Sequence, residues 1–355
     1  MKESIKSFLG KSRLIRGTYN TCLKKYTQSY RKVYRVDRSA EYRTLLTPSE
    51  ETYEFSDGTL FEDGVSLSPH PKADNPVLTK ADIEDAKATF VADPFLVFAD
   101  GVYNMFFEIK DVAGEVYIGH AFSDDGVNYI YNQTVIGPEV AEHTYPYVFK
   151  LDDQWLMVPS PGFNINGQFR VYKATEFPTE WERIATPIPE RVRQDPTPIK
   201  KDETWYLIYQ DVESLDIILK YSDSLYDGNW IEHPASPIFQ NDKEELNQCP
   251  IGAAEMVPSG RPIYHKNSID LFYRSHLNKE VYQYRITELS EEAFEQHRVS
   301  ELPVFANYMN QPWNERFMHT INPVYPWKRT ENIVAVDGLK KDVCVYPEDS
   351  TDGTA

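Results

Sequence analysis

The strongest constraint on the fold is a hairpin pattern that recurs five times after residue 90. Each copy begins with a residue followed by proline, continues through a short apolar run and a polar turn, and ends after a second apolar run. Successive prolines stand 52, 50, 66 and 61 residues apart. The pattern predicts antiparallel hairpins whose proline takes the first strand position, where no ladder donor is lost. The copies cover residues 93–108, 145–160, 195–210, 261–275 and 322–337.

A second strand–turn–strand pattern follows each of the first four copies. These segments start at Tyr117, Phe169, Ile217 and Val281. Two hairpins make one four-stranded sheet, and the spacing is typical of propeller blades. The sequence therefore predicts an all-β five-bladed β-propeller, and five copies in phase disfavour the rival architecture, an open β-sandwich.

The predicted propeller occupies residues 46–347. The fifth copy lacks a full second hairpin, so residues 340–347 would add one strand and residues 52–66 would close the ring. Residues 1–45 are predicted to form a basic arm with an amphipathic helix, and residues 348–355 a disordered acidic tail.

The repeat also predicts which residues surround one rim of the central channel. The first strand of each blade lines the channel, so the residue before each proline lies at the rim, with the last hairpin residue opposite. The residues before the prolines are Asp93, Tyr145, Asp195, Arg261 and Asn322. The last residues are Glu108, Ser160, Gln210, Ser275 and Asp337.

Three of these carboxylates, Asp93, Glu108 and Asp195, are the predicted catalytic residues. Like charges in a funnel raise one pKa, so one carboxyl can serve as an acid while another serves as a base. Cleavage or transfer of a glycosidic bond needs that pair. The alternative is that Asp-Pro is only turn chemistry at a strand start.

Further residues are predicted to bind the sugar, although a lone histidine is usually structural and tyrosines are common in β cores. One of Tyr145 and Tyr147 would face the funnel and stack on a sugar ring. No cofactor and no metal are predicted, since the three cysteines lack metal-ligand spacing. The substrate-binding candidates are His143, Tyr145, Arg261, Arg274, His319 and Asp337.

Several long segments resemble a known family. These include ATFVADPFLVFADGVYNMFFE, EHTYPYVFKLDDQWLMVPS and FMHTINPVYPWKRTENIVAVDG. Over about residues 75–340 they are similar to the family 43-like propeller domain named after the N-terminal domain of plant glucosamine inositolphosphorylceramide transferase. The resemblance implies a five-bladed propeller related to glycoside hydrolases of families 32, 43 and 68, in a setting of surface-glycan assembly.

The resemblance also implies roles for single residues. Asp93 matches the inner-strand aspartate that is base or nucleophile in propeller hydrolases, whereas no residue matches their acid. The chain departs from its relatives at Ser160, where they often carry Glu, and at His319-Thr320, where they often carry two histidines. It also has Val257-Pro258-Ser259-Gly260 where they often have Arg-Pro-Ala-Gly.

Charge is distributed unevenly along the chain. Residues 1–43 carry 12 Lys/Arg and 3 Asp/Glu, a net charge of +9, and the remainder has a net charge of −27. So acidic a body is expected to repel nucleic acid. A basic amphipathic helix in residues 1–35 would suit an anionic membrane surface, or else packing on the acidic propeller or in an oligomer.

Three function classes follow. The first is a carbohydrate-active propeller of surface-glycan biosynthesis that transfers or trims a sugar, with a sugar or lipid-linked glycan as partner. The second is an ordinary glycoside hydrolase of the furanosidase or xylosidase type, and the third is a non-catalytic carbohydrate-binding propeller. We expect a cytoplasmic location, with peripheral contact to the inner face of the membrane, because no secretory or membrane-spanning segment is evident.

Overall fold

The computed structural model is an all-β propeller built almost entirely of strands. It describes residues 76–137, 143–161, 168–211, 214–240, 256–265, 267–275, 280–300, 317–326 and 334–339. The predicted amphipathic helix in residues 1–45, the closing strand in residues 52–66, the strand in residues 340–347 and the acidic tail all lie outside these ranges. Within them, no helix is long and apolar enough to cross a membrane.

In the described ranges, eighteen strands follow one short 3-10 helix, Lys80–Asp82, which the Thr79 side chain caps. The strands are β1 Ala88–Ala99, β2 Val102–Asp111, β3 Val116–Ser123, β4 Ile130–Ile136, β5 Thr144–Leu151, β6 Gln154–Ser160, β7 Gln168–Glu176, β8 Glu180–Lys201, β9 Thr204–Asp211, β10 Ile217–Ser222, β11 Ile231–Glu232, β12 Val257–Pro258, β13 Ile263–Tyr264, β14 Ile269–Ser275, β15 Glu280–Leu289, β16 Phe294–Arg298, β17 Phe317–Pro323 and β18 Val334–Leu339.

The strands are arranged in four hydrogen-bonded sheets. One sheet is β1–β4, the next runs from β5 to β11, the third joins β12 and β13 with β14–β16, and the last is β17 with β18. The expected count of five separate sheets is therefore wrong for the described residues. The reason is β8, a 22-residue strand that pairs with β7 near its start and with β9 near its end, so the second and third repeats share one sheet.

The first strands of the five hairpins surround a common axis. Strand β1 contacts β5, β8 contacts β12, and β17 contacts β1. Main-chain bonds complete the ring, since Phe98 N–H donates to the Tyr325 carbonyl at 2.7 Å and Tyr325 N–H donates to the Leu96 carbonyl at 3.0 Å. The two ends of the repeat therefore meet, and the channel lies between these strands.

The prolines of the first three hairpins do not start their strands, which corrects the expectation from the sequence. Register shifts fall between Ala92 and Phe95 in β1 and at the equivalent places in β5 and β8, so each X-Pro pair sits in a bulge. A bulge also tolerates proline, because the bulged residue leaves the ladder.

Apolar side chains pack between neighbouring sheets. Val97 and Phe106 from the first sheet meet Val148 and Met157 from the second, and all four are fully buried. Burying one such side chain stabilises the fold by about 1.5–3 kcal/mol. This packing fixes the angle between sheets and holds the inner strands around the channel.

Candidate functional site at the channel rim

Three of the residues before the prolines have a left-handed backbone. The φ angles of Asp93, Tyr145 and Asp195 are 48°, 47° and 53°. A residue before proline is normally extended, and a left-handed non-glycine residue costs about 1–3 kcal/mol. Strain of this kind collects at functional sites, where it turns a side chain in a direction that a regular strand does not allow.

The strongest electrostatic contact at the rim joins Asp195 to Arg274. Arg274 Nη2 lies 2.6 Å from Asp195 Oδ2, and Nη1 donates to the Pro258 carbonyl at 3.0 Å. Both charged side chains are almost fully buried. Burial disfavours the charge of Arg274, but the carboxylates of Asp195 and Asp93 outweigh it and raise the pKa of Arg274.

Two of the predicted catalytic carboxylates, from different sheets, therefore act on one guanidinium, Asp195 through direct contact and Asp93 through its charge. Asp93 belongs to the first sheet, Asp195 to the second and Arg274 to the third. Glu108 pairs with Ala92 across β1 and β2, directly beside Asp93, and it is buried as well. The rim thus brings together Asp93, Asp195 and Arg274, with Glu108 next in the same hairpin.

Tyr145 is fully buried, and its hydroxyl forms hydrogen bonds within the protein. It donates to the Gly260 carbonyl at 2.9 Å and accepts from Gly260 N–H at 2.7 Å. Its ring packs edge-on against Phe95, with centroids 4.8 Å apart. Burial and the nearby Asp195 raise its pKa. In this structure Tyr145 links the second sheet to the third.

Polar residues at the ends of the hairpins support the rim. Ser160 Oγ accepts from the Asp195 N–H at 3.1 Å, which helps to hold the left-handed turn at Asp195. Gln210 Nε2 donates to the Leu215 carbonyl at 2.9 Å. His143 Nε2 bonds to the Tyr172 hydroxyl at 2.8 Å, in a buried position on the second sheet.

Other predicted residues lie elsewhere or outside the described side chains. The Arg261 side chain contacts the rings of Phe95, Tyr147 and Tyr325. The backbone N–H of Arg261 donates to Asn322 Oδ1 at 2.9 Å. His319 lies in β17 and Asp337 in β18, and their side chains are outside what the structure describes.

Sequence reasoning did not identify Thr197 and Gly260 at this site. Thr197 Oγ1 donates to the Asp195 carbonyl at 3.1 Å and lies 3.3 Å from the Tyr145 hydroxyl. Gly260 has a φ of 125° and receives the Tyr145 hydroxyl. A glycine directly before an X-Pro pair was the available signal, since it marks a backbone that other residues rarely adopt.

The described side chains of the rim can orient a polar substrate. Across the ranges that the structure describes, no group of three or more His, Cys, Asp or Glu side chains is placed to hold a metal ion. What the rim offers is two carboxylates and a guanidinium, the groups that bind sugar hydroxyls and stabilise charge at an anomeric carbon.

Comparison with known sequences gives the family. Residues 64–338 match the family described as glucosamine inositolphosphorylceramide transferase 1, N-terminal. The chain belongs to this family. The glucosamine inositolphosphorylceramide transferase 1 of Oryza sativa subsp. indica is 30% identical over 180 residues, and that of Arabidopsis thaliana is 29% identical over 176. These alignments cover 48% and 46% of this chain but only 23% and 22% of the plant proteins.

Solved structures show a similar fold. A glycosyl hydrolase from Bacteroides ovatus superposes with a TM-score of 0.55 at 14% sequence identity, over 79% of this chain and 96% of the hydrolase. At that identity the likeness establishes the fold alone. The expectation that the chain is similar to the transferase N-terminal domain and has a hydrolase-like propeller fold is confirmed.

Proposed function

We propose that this protein is a carbohydrate-active propeller of glycan biosynthesis that transfers or trims a sugar at the channel rim. The observation that carries the proposal is the buried group formed by Asp93, Asp195 and Arg274 from three different sheets. A fold has no packing need for two carboxylates and a guanidinium at its axis, because buried charge is costly unless it is compensated. The rim group is therefore best explained by a polar ligand.

Within this proposal each residue has a role that follows from its contacts. Asp93 acts either as the base that takes the proton of the attacking water or hydroxyl, or as the nucleophile that bonds to the anomeric carbon, since it lies in the first inner strand and its charge reaches Arg274. Asp195 is oriented by Arg274 and stabilises positive charge that develops on the sugar ring. Glu108, beside Asp93, is the candidate proton donor.

The substrate is proposed to be a glycan, with a lipid-linked form as the first choice. Support comes from the plant relatives, which are named glucosamine inositolphosphorylceramide transferase 1. The chain spans only about a quarter of those proteins, so their whole activity does not pass to it directly. Peripheral attachment to the inner membrane face is part of the same proposal.

One observation favours a second candidate, a non-catalytic carbohydrate-binding propeller. Ser160 stands where relatives of the family often carry Glu, and here its hydroxyl accepts from the Asp195 backbone instead of serving as an acid. Such a protein would bind a sugar through the same carboxylates without turning it over. The experiment below also tests ordinary glycoside hydrolysis, because it includes aryl glycosides as simple substrates.

The experiment compares Asp93→Asn and Asp195→Asn with two matched controls, Asp100→Asn and Asp202→Asn. The controls have nearly the same left-handed φ, 51° and 52°, but lie exposed in the turns of the same hairpins. Sugar release from aryl glycosides and sugar transfer from lipid-linked glycans are followed by mass spectrometry, and sugar affinity by calorimetry.

The rim variants are expected to lose about 10²–10⁴-fold in turnover with little change in affinity, while both controls keep wild-type rates. Release from aryl glycosides would identify a hydrolase, and turnover of lipid-linked glycans alone would identify the glycan-biosynthesis role. Binding without turnover in the wild type would establish the binding alternative. Full turnover in both rim variants would exclude Asp93 and Asp195 from the chemistry.

A further inference from the structure

A cavity opens at the side of the propeller where the hairpin turns lie. It has a volume of about 610 Å³, within the range of small-molecule sites. Its walls include Leu151, which precedes the β5–β6 turn, and Lys200, which lies near the β8–β9 turn. Lys200 is five residues along β8 from Asp195, a separation of about 16 Å in an extended strand. The mouth of the cavity is therefore far from the carboxylates of the rim.

The walls of this cavity are mainly aromatic, aliphatic and proline side chains. Among the described residues that line it there is no carboxylate, although the whole chain has a net charge of −18. The charged side chains of that described lining are three cations, Lys150, Lys200 and Arg261. In so acidic a protein, an apolar cavity whose described lining carries positive charge points to an anionic ligand.

Arg261 is the deep cation of the cavity. The residue is 4% exposed, and none of its three guanidinium nitrogens has a hydrogen-bond partner of normal geometry in the part of the chain that the structure describes. The guanidinium carbon lies 5.4 Å from the ring centroid of Phe95 and 5.1 Å from those of Tyr147 and Tyr325. The rings attract the charge, and the Tyr147 hydroxyl interacts weakly with the guanidinium, but these neighbours are neutral and supply no anion.

This environment does not compensate the buried guanidinium. Burial lowers the pKa of Arg261, and raises the pKa of the adjoining Tyr147 to about 12, so that phenol stays neutral. Proteins normally avoid a buried cation without an anion, because its burial is costly. A bound carboxylate or phosphate would compensate the charge through charge-assisted hydrogen bonds. The fork of N–H groups suits a planar or tetrahedral oxyanion.

The two lysines lie nearer solvent and mark the mouth. Lys150 Nζ lies 3.0 Å from the exposed Asp153 carboxylate, and its side chain is 41% exposed. Lys200 Nζ donates to the Glu203 carbonyl at 2.7 Å, and its side chain is 33% exposed. Cations at the entrance attract an anion, and the apolar walls between them and Arg261 can receive a carbon skeleton.

We propose that this cavity binds a small amphiphilic oxyanion, a carboxylate or phosphate on an apolar body, with the oxyanion against Arg261. The apolar body contacts the wall formed by Phe149, Trp205 and the surrounding prolines. The site is independent of sugar chemistry at the rim, so it stands whether or not the proposed function does.

Calorimetry and thermal unfolding of the full chain test the proposal. The probes are phenyl phosphate and benzoate, with benzyl alcohol as a neutral ring of similar size and inorganic phosphate as an anion without a body. The variants are Arg261→Met and Arg261→Lys. Arg298→Met is the matched control, because Arg298 also lies over a tyrosine ring, that of Tyr282, but donates to the Ser300 carbonyl outside the cavity.

Phenyl phosphate and benzoate are expected to bind wild type and Arg298→Met equally, and at least tenfold more weakly to Arg261→Met, a loss of about 1.4 kcal/mol. Arg261→Lys should recover part of the affinity. If Arg261→Met does not fold, Lys150→Glu with Lys200→Glu should give the same tenfold loss from the mouth. The proposal would be overturned if benzyl alcohol or inorganic phosphate bound as tightly as phenyl phosphate and benzoate. Full affinity of Arg261→Met for phenyl phosphate and benzoate would also overturn it.

Discussion

Single residues with a positive φ angle determine how the chain passes the X-Pro pairs of this fold. At three hairpins a non-glycine residue takes the left-handed backbone before proline, whereas at the fourth the preceding glycine does so. Gly260 is required for a second reason. A Cβ atom there would lie 1.8 Å from the Ile321 carbonyl oxygen, and Ile321 N–H in turn donates to the Ser259 carbonyl at 3.0 Å. The joint between β12 and β17 therefore depends on the absence of a side chain.

Replacing Gly260 by alanine should destabilise the protein by more than about 3 kcal/mol, because both the φ angle and the close approach to Ile321 are violated. The matched control is Gly101→Ala, which has a φ of 84° but open space around the new Cβ. It should cost only about 1 kcal/mol. Urea unfolding measures the free energy of unfolding of both variants. Equal losses of stability would mean that the contact between Gly260 and Ile321 adjusts to a side chain without an energetic cost.

Sheet elements are tied laterally by buried polar side chains as well as by the ladder. In the first sheet His120 of β3 lies between Asn104 of β2, at 3.0 Å from Nε2, and Asn132 of β4, at 3.2 Å from Nδ1. The neutral imidazole satisfies both neighbours with one donor and one acceptor. Burial lowers the pKa of His120 to about 4.

This histidine gives the fold a defined sensitivity to acid. The unfolded chain binds the proton near pH 6.5 and the native state only near pH 4, so stability is complete above pH 6.5 and falls as the pH drops through that window. At about 1.4 kcal/mol per pKa unit, protonation of this buried histidine costs the native state on the order of 3 kcal/mol. Unfolding measured from pH 7 to 4 should show a shallower decline in His120→Gln than in wild type. The exposed control His297→Gln should follow wild type, and parallel curves for all three would assign the acid sensitivity to other groups.

At the level of strands and turns, the sequence predicted the features that depend on local signals. Hairpins and their turns were predictable because strand alternation and Asp-rich turns are local signals. The fusion of two repeats through β8 was not, because it depends on a strand that continues without a turn. The sequence predicts proline at the strand start, and the bulge that accommodates it is visible only in the pairing register.

The site shows the same division. The repeat phase predicted that Asp93 and Asp195 would lie at one rim, and the structure places both near Arg274. The contact of Tyr145 with Gly260 spans 115 residues, so no local pattern could predict it. Arg261 shares the repeat phase of the rim residues, yet its side chain lines the cavity on the turn side, so the phase alone did not predict where its guanidinium lies.

At the scale of the whole molecule, charge is sorted by region. Residues 1–43 are strongly basic, the remainder is strongly acidic, and within the acidic body the turn-side cavity is lined by cations. Such sorting leaves two places where the protein can meet an anion, the cavity and the basic arm. The arm can reach a surface much larger than a small molecule.

We propose that residues 1–35 hold the acidic body at an anionic membrane face. Their sequence has an apolar stripe with Lys and Arg opposite, and each basic residue near such a surface contributes about 1 kcal/mol before screening. The full chain should co-sediment with anionic liposomes at low salt and less so in 1 M salt, where the Debye length is about 3 Å. A truncated chain beginning at Glu50 should stay in the supernatant, as should the full chain with neutral liposomes. Arg31→Gln with Lys32→Gln should weaken sedimentation without changing the fold. If the full and truncated chains both stay in solution at every salt concentration, the arm serves packing or assembly instead.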